Sequence, residues 1–405
     1  MTLPRHFTRA ALGLCVAVSL AASPLWAGEV PETIRIGYAV SDTGPYAGGA
    51  GTTITPNYKL WVHEVNEAGG IRIGDRQVPI EVVAYDDRSS SEEAVRAVER
   101  LINQDEVHFV LPPWGTALNL AVAPVLHRAG YPHLAVTAVS NHQENLMSRW
   151  PRIFFFLSMS SHYAEGIVDM LTELRDSGEI EGRVAMVNVA DQFGIELANA
   201  ARERLDAAGF EVVYNQAYPP GTQDMQSIIN SARQRDPEAF LAFSYPPETI
   251  AITDQAQTLG FNPPLFYTAV GTAFPLYKSR FGDNVEGVIG IGGVESDSEA
   301  MMQYIERHTE VIGQAPDLWA SAPTYASLQV LQQAIERAGS IDHETVVAEM
   351  ENGTFETVLG EITLDGRVYW EGWQVGQWQD GMFRAIAPMD RDGASELLLP
   401  KPDWR

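Results

Sequence analysis

The chain has 405 residues, 45% of them hydrophobic and 20% charged, with 34 Gly and 24 Pro. This is the composition of a folded globular protein and excludes collagen, coiled coil and wholesale disorder, while the length exceeds what one core usually serves and predicts two lobes. Lys and Arg number 27 against 53 Asp and Glu, for a net charge of -26, and a sheath of that sign repels phosphate backbones and anionic lipid, which disfavours nucleic acid and membrane surfaces as partners.

The first 27 residues read as a secretory signal peptide. Arg5, His6 and Arg9 form a basic start, Ala10–Ala22 is an apolar run, Pro24 follows, and Ala27 is a small residue before Gly28. The run is shorter than the about 20 residues that a membrane span needs. Cys15 is the only cysteine, and Leu14 before it is not the small residue of a lipoprotein signal. The expectation is a soluble protein exported to the periplasm, with no disulfide and no thiol nucleophile after cleavage.

Beyond the signal, β-type runs alternate with amphipathic helical runs. Thr33–Val40 is a strand, followed by a Gly-rich loop to Thr53 and a helix near Thr55–Ala68. Strands at Val78–Tyr85, His108–Leu111 and His133–Val139 alternate with helices near 92–104 and 117–129. The pattern restarts at Ile153–Leu157, with strands at Val184–Val189, Glu211–Asn215, Ala239–Phe243 and Leu265–Thr268 separated by helices. Val285–Val294 is a further apolar run. Helices near 298–312, 320–338 and 343–351 precede a tail, Phe355–Pro388, that is rich in Gly and Trp. Near-continuous apolar strands between helices predict parallel sheets covered on both faces, an α/β fold. The predicted division is a signal at 1–27, a first lobe of 28–157 plus 289–358, a second of 158–285 plus 360–390, and a tail at 391–405. Crossings between lobes are expected near 156–160, 282–289 and 357–366. Such a hinge lets two lobes close on a ligand held at the carboxyl ends of the strands.

Catalytic signatures are not evident. G-x-S-x-G, H-E-x-x-H, the phosphate-binding G-x-x-x-x-G-K-[ST] and paired Cys are all missing from the sequence, and the nine His lack metal-ligand spacing. Asp86 and Asp87 are adjacent carboxylates at a strand end; successive strand side chains point to opposite faces, and Asp is a favoured turn residue, so a turn is the preferred reading over an acid/base pair. No metal and no cofactor are expected.

Several segments together resemble the exported solute-binding proteins of ABC importers, in the branched-chain amino acid and amide branch typified by Leu/Ile/Val-binding proteins. They are IRIGYAVSDTGPYAG at Ile34–Gly48, NEAGGI at Asn66–Ile71, VVAYDDRSSSEEAVRAVERLI at Val82–Ile102, LNLAVAPVLHRAGYPHL at Leu118–Leu134 and SYPPETIAITDQAQTLGF at Ser244–Phe261, with PTYASLQVLQQAIERAGSID and FETVLGEITLDG downstream. The resemblance implies a two-lobe type I periplasmic-binding-protein fold with three interlobe crossovers, no catalysis, a small-molecule solute, an inner-membrane ABC permease as partner, and a monomer.

It also implies site residues. In the family, one lobe holds a ligand carboxylate with hydroxyls and backbone N–H groups. Here PPWGTAL places Trp114, Gly115 and Thr116 at that site, and TAVSN places Ala138 and Ser140. Tyr46 matches a family aromatic of the cleft. From the other lobe come His162, where an acidic or polar residue is frequent, Phe193 in ADQFG, and Tyr245 in SYPP. The TAVG loop puts Ala269 where amino-acid binders commonly keep a Glu for the ligand ammonium. Bland readings stand beside these: Trp114 as a plug of the lobe edge, Thr116 and Ser140 as helix caps, His162 as a solvated helix start and Phe193 as core. The expected function is capture of a small hydrophobic, carboxylated solute such as a branched-chain amino acid or amide by lobe closure. The alternatives are a binder of an aromatic or aliphatic carboxylic acid that lacks an ammonium, and a sensory module that presents its ligand to a receptor.

Overall fold

The structure is a computed structural model that describes Met1, residues 30–295 and residues 298–405; the predicted export signal, apart from Met1, lies outside the described residues. The first lobe runs through β1 (Ile34–Val40), α1 (Ala47–Thr53), α2 (Thr55–Glu67), β2 (Ile71–Ile73), β3 (Arg76–Val78), β4 (Ile80–Asp86), α3 (Ser91–Asn103), β5 (Phe109–Leu111), α4 (Thr116–Ala129), β6 (His133–Ala135), α5 (Gln143–Arg149) and β7 (Ile153–Phe155). The second follows with α6 (Ser160–Asp176), β8 (Arg183–Val189), α7 (Gln192–Ala208), β9 (Glu211–Tyr218), α8 (Gln226–Arg233), β10 (Ala239–Phe243), α9 (Pro246–Leu259), β11 (Leu265–Thr268), α10 (Pro275–Phe281) and β12 (Ile289–Ile291). The chain then returns to the first lobe for α11 (Glu299–Ile312), α12 (Ser321–Ala338), α13 (His343–Asn352), β13 (Thr354–Thr357) and β14 (Gly360–Thr363), and ends with β15 (Val375–Gln379) and β16 (Met382–Ala387) in the second.

In the first lobe, β1 lies between β4 and β5, all parallel, with Ile36 opposite both Val82 and Phe109. A separate parallel pair joins β6 to β7. The second lobe is one seven-stranded sheet in the order β16-β15-β12-β11-β10-β8-β9. Its β8 to β12 strands are parallel, and β15 and β16 add an antiparallel edge. The central strands are buried on both faces: in β10 every residue is buried, and Leu241 sits in register with Met186 and Tyr267. This is why their sequences read as unbroken apolar runs. Helix starts are marked chemically, as Ser90, Asp191 and Asp342 accept hydrogen bonds from the first-turn N–H groups of α3, α7 and α13.

Several boundaries differ from the sequence expectation. Strand β12 belongs to the second sheet, paired with β11 and β15, so the first-lobe return begins after Ile291 rather than at 289, and the crossing moves out of 282–289. The hairpin of β13 and β14 continues to Thr363, so the last crossing lies between Thr363 and Val375, overlapping only the end of the expected 357–366. The expected loop to Thr53 contains α1, because Ala47, Ala50 and the threonines there sustain a short helix despite three glycines. Residues 391–405 are not a detached tail. Lys401 N–H donates to Pro264 O at 2.9 Å, Leu398 N–H to Gln377 Oε1 at 2.8 Å, and the Trp404 indole N–H to Phe261 O at 2.8 Å, which fasten this segment to the second lobe.

A buried polar relay stabilises the loop after β5. His133 Nε2 lies 2.9 Å from Asn119 Oδ1, and the Asn119 amide donates to the carbonyls of Pro113 and Gly115 at 2.8 and 2.9 Å. Because a carbonyl oxygen only accepts, Nε2 carries the proton, and Nδ1 is left buried without a partner. Burial holds His133 neutral, with its pKa lowered from 6.5 to about 3. A depressed histidine contributes stability that is complete above its unfolded pKa and is lost as pH falls towards the folded one. Unfolding free energy should therefore fall between pH 6.5 and about 3 with a contribution of up to about 1.4 kcal/mol per pH unit from this residue. Urea midpoints for the wild type and for His133→Gln, which keeps an N–H donor but does not titrate, should diverge progressively across that window; parallel curves would show that His133 contributes nothing.

Candidate ligand-binding site

Loops after the strands of both lobes meet at one cleft. From the first lobe, Tyr46 ends the loop after β1, and its N–H donates to Ser89 Oγ at 3.0 Å. That turn is built by the paired carboxylates. Asp86 accepts from the N–H groups of Asp42 and Arg88 and from the Thr43 hydroxyl, and Asp87 accepts from Ser41 Oγ and Ser89 N. The pair is a turn staple whose donors are all local.

Trp114 stands in the loop after β5. Pro112 and Pro113 precede it, and Gly115, at φ +88°, supplies the left-handed step that turns the chain into α4. The indole is 3% exposed. It lies flat against Gly49 of α1, where an added Cβ would come within 2.2 Å of the ring. Gly49 thus gives the indole its seat.

From the second lobe, Asp191 caps α7 and sets Phe193 on its first turn. Tyr245 precedes α9, whose opening prolines fix the first helical turn without losing a needed N–H. The four rings converge. Tyr46 and Trp114 stand 5.6 Å apart, Trp114 and Tyr245 5.4 Å, Tyr46 and Tyr245 5.7 Å, and Phe193 stacks on Tyr245 at 5.1 Å. Each offset or edge-on pair adds about 0.5–1.5 kcal/mol beyond area burial. Trp114 and Tyr46 therefore reach across the cleft to the other lobe and do more than plug their own lobe's edge.

The groups expected to hold a carboxylate are engaged within the protein. Gly115 N–H donates to Thr137 Oγ1 at 2.9 Å, and the Thr116 hydroxyl both donates to Val139 O and accepts from Val139 N–H at 3.1 Å. Ser140 Oγ donates to Glu196 Oε1 at 3.1 Å, and Asn141 N–H donates to Glu196 Oε2 at 2.6 Å. Glu196 is on α7 of the second lobe, is 8% exposed, and also accepts from Ser160 Oγ at 3.3 Å and from the Gln192 amide. A carboxylate of one lobe thus fills the donor set of the other. Ala138 packs with Ala123, Trp150, Ile153 and Phe155, away from the four rings. Ala269 is fully buried, its N–H bonded to Ala242 O. His162 turns towards the crossings, with Nδ1 2.7 Å from Ser158 Oγ and its ring 6.3 Å from Trp370. Burial lowers its pKa.

Sequence reasoning missed Glu196 and three groups at the strand ends of the second lobe: Asp191, Tyr218 and Glu248. Burial raises the Asp191 and Glu248 carboxyls, and each phenol nearby, Tyr46, Tyr218 and Tyr245, is raised by burial and by these acids. The usable signal was positional, since each of the three lies at or just after the carboxyl end of a second-lobe strand. Among the described residues no group of three or more His, Cys, Asp or Glu is arranged to hold a metal ion.

Comparison with known proteins places the fold. The profile of the periplasmic binding protein family matches residues 33–382. The chain is similar to Leu/Ile/Val-binding protein homolog 7 of Brucella abortus (strain 2308), 23% identical over 95% of this chain and 99% of the relative. Among solved structures, it superposes on the branched-chain amino acid transporter substrate-binding protein LivJ from Streptococcus pneumoniae in complex with isoleucine, with TM-score 0.74, 21% identity and coverage of 87% and 98% of the two chains. It superposes equally on an ABC transporter solute-binding protein from Rhodopseudomonas palustris BisB5 in complex with 3,4-dihydroxybenzoic acid, with TM-score 0.74, 20% identity and coverage of 87% and 95%.

Truncating the central ring should show what the cleft does. Losing a buried aromatic contact removes on the order of 1–3 kcal/mol, so Trp114→Ala should weaken solute binding by roughly tenfold to a hundredfold. Gly49→Ala, which displaces the indole without removing it, should move affinity in the same direction. Calorimetric titration measures both; unchanged affinity in folded Trp114→Ala would remove this residue from the site.

Proposed function

Because the chain belongs to the periplasmic binding protein family, we propose that it is the exported solute-binding component of an ABC importer, closing its two lobes on a small hydrophobic solute and delivering it to an inner-membrane permease. The observation that carries this reading is the aromatic wall that Tyr46 and Trp114 of one lobe form with Phe193 and Tyr245 of the other, in ring contact across the cleft. Apolar pockets with a few convergent polar groups are the common form of small-molecule sites, and this wall exists as a unit only when the lobes are together. The family is a solute-binding class, and the four rings are walls for an apolar body rather than a set of reacting groups. Similar proteins solved with isoleucine and with 3,4-dihydroxybenzoic acid support a solute of that size.

The hinge has the form that closure requires. Three separate connections join the lobes, between Phe155 and Ser160, between Ile291 and Glu299, and between Thr363 and Val375. A cavity of about 180 Å³ lies where they meet, lined among others by Leu157, Gly293, Trp319, Leu359 and Tyr369. Opposing the wall's need for a guest, Glu196 ties the lobes through Ser140 and Asn141.

A screen of amino acids, amides and carboxylic acids by thermal shift identifies the solute class, since a ligand that binds only the folded state raises Tm by mass action. A hit should also reduce the radius of gyration in small-angle scattering; an unchanged radius at saturation in the wild type and in Glu196→Ala would sink the clamp. Hydrogen bonds to a charged acceptor contribute about 1.5–3 kcal/mol each, so Glu196→Ala should favour the open form, with a larger ligand-free radius and affinity weakened about tenfold or more through the closing equilibrium.

A further inference from the structure

We infer that the second-lobe wall of this cleft carries a subsite for a protonated amine of the solute, formed by the free oxygens of Glu248, Asp191 and Tyr218 beside Tyr245. The inference rests on the reading of the cleft as the solute site and adds the chemistry of the solute's polar end: a primary ammonium on an apolar body.

The three groups come from adjacent strand ends. Tyr218 is the last residue of β9, Asp191 follows β8, and Glu248 lies in the first turn of α9 after β10; these strands are neighbours in the order β10-β8-β9. Val189 and Tyr218 are register partners, and Ala190 N–H donates to Tyr218 O at 2.7 Å, which holds Asp191 beside the phenol. Ligands of such sheets sit outside these carboxyl ends.

Each group keeps a free oxygen. Glu248 is 1% exposed; its Oε1 accepts from Gly221 N–H, and its Oε2 is buried with no partner. Asp191 Oδ1 accepts from Gly194 N–H at 3.0 Å, and Oδ2 is buried with no partner. Tyr218 is 2% exposed, and its hydroxyl has none either. Buried carboxylate oxygens without donors are costly. An ammonium brings three N–H donors and one positive charge, which answers three free oxygens and offsets part of two desolvated negative charges.

The rest of the cleft agrees. The Ala269 methyl offers an ammonium no acceptor, whereas the neighbouring strand ends carry free carboxylate oxygens. On the opposite lobe, the groups that would hold a solute carboxylate are engaged within the protein: Ser140, with the neighbouring Asn141 N–H, binds Glu196, and Gly115 and Thr116 bind Thr137 and Val139.

Calorimetry on the full mature chain tests this with matched probes: 2-phenylethylamine and isopentylamine, the acids 3-phenylpropionate and 4-methylpentanoate, and the amino acids phenylalanine and leucine. The amines should bind at least tenfold more tightly than the matched acids, and Glu248→Gln should cost the amines at least tenfold while leaving the acids unchanged or bound more tightly. That variant should keep or raise Tm, because it removes a buried unpaired charge; should it fail to fold, Asp191→Asn, which keeps the helix cap, reads the same effect. Acids binding as tightly as amines, or amine affinity indifferent to both variants, overturns the subsite and leaves the cleft reading intact. Failure of the cleft reading looks different: no amine, acid, amino acid or amide binds, and the subsite falls with it.

Discussion

Everything at the cleft depends on strand direction. In each lobe the parallel strands put their carboxyl ends on one edge, because every crossover helix must carry the chain back before the next strand begins. β1 and β5 deliver Tyr46 and Trp114 to that edge in the first lobe. β8, β9 and β10 deliver Asp191, Tyr218 and Tyr245 to it in the second. The loops differ in chemistry, yet they open at the same place, and the three connections between lobes turn the two edges towards each other. The aromatic contacts across the cleft are a consequence of this topology as much as of the side chains.

That constraint also decides what could be read from the sequence. Apolar runs such as AFLAF at Ala239–Phe243 announce buried parallel strands, and the residues after them are site candidates by position alone. Tyr46, Trp114, Phe193 and Tyr245 were named through the resemblance to the solute-binding proteins together with their places past strand ends, and the structure brings the four rings together. The polar partners were not. Glu196 lies on the second turn of a helix and reaches Ser140 only because the lobes meet, a contact between residues whose relation no local pattern encodes. Glu248 looked like an ordinary first-turn acid, of the kind that favours a helix N-terminus. What sets it apart is burial, which depends on the packing of Gly221 and Tyr218 from another strand. The boundaries at 289 and 358 were misplaced for a related reason. A strand's membership in one sheet or another is fixed by its partners, and β12 finds its partners in β11 and β15.

Charge links the subsite to the whole molecule. A chain with net charge -26 surrounds itself with a potential that draws in cations and repels small anions, an effect strongest where a cleft with low-dielectric walls focuses the field. For an anionic solute, every element of the second-lobe wall would be adverse. A cationic one gains twice: by attraction at long range and from the carboxylate oxygens of the wall. Selectivity then follows from what is missing elsewhere, since a carboxylate entering with the amine must displace Glu196 from Ser140 and Asn141 or remain in the aromatic part of the cleft.

This places Glu196 in a second role, as the element that sets how much of the binding energy goes into closure. A clamp held open by nothing and closed by nothing binds with the full strength of its contacts. Here the closed state already contains hydrogen bonds between lobes, and so its free energy without a guest lies nearer to that of the open state. The apparent affinity of a closed-state ligand rises with the fraction of protein already closed. Yet a lobe pair that stays shut delays entry and release, because the solute exchanges only when the cleft opens. The unpaired carboxylates enter through the guest. Glu248 and Asp191 keep buried oxygens without donors, which is costly, and an ammonium that reaches them from the cleft relieves that cost only while the lobes hold it there. Closure is in this way coupled to the charge of the guest as well as to its shape.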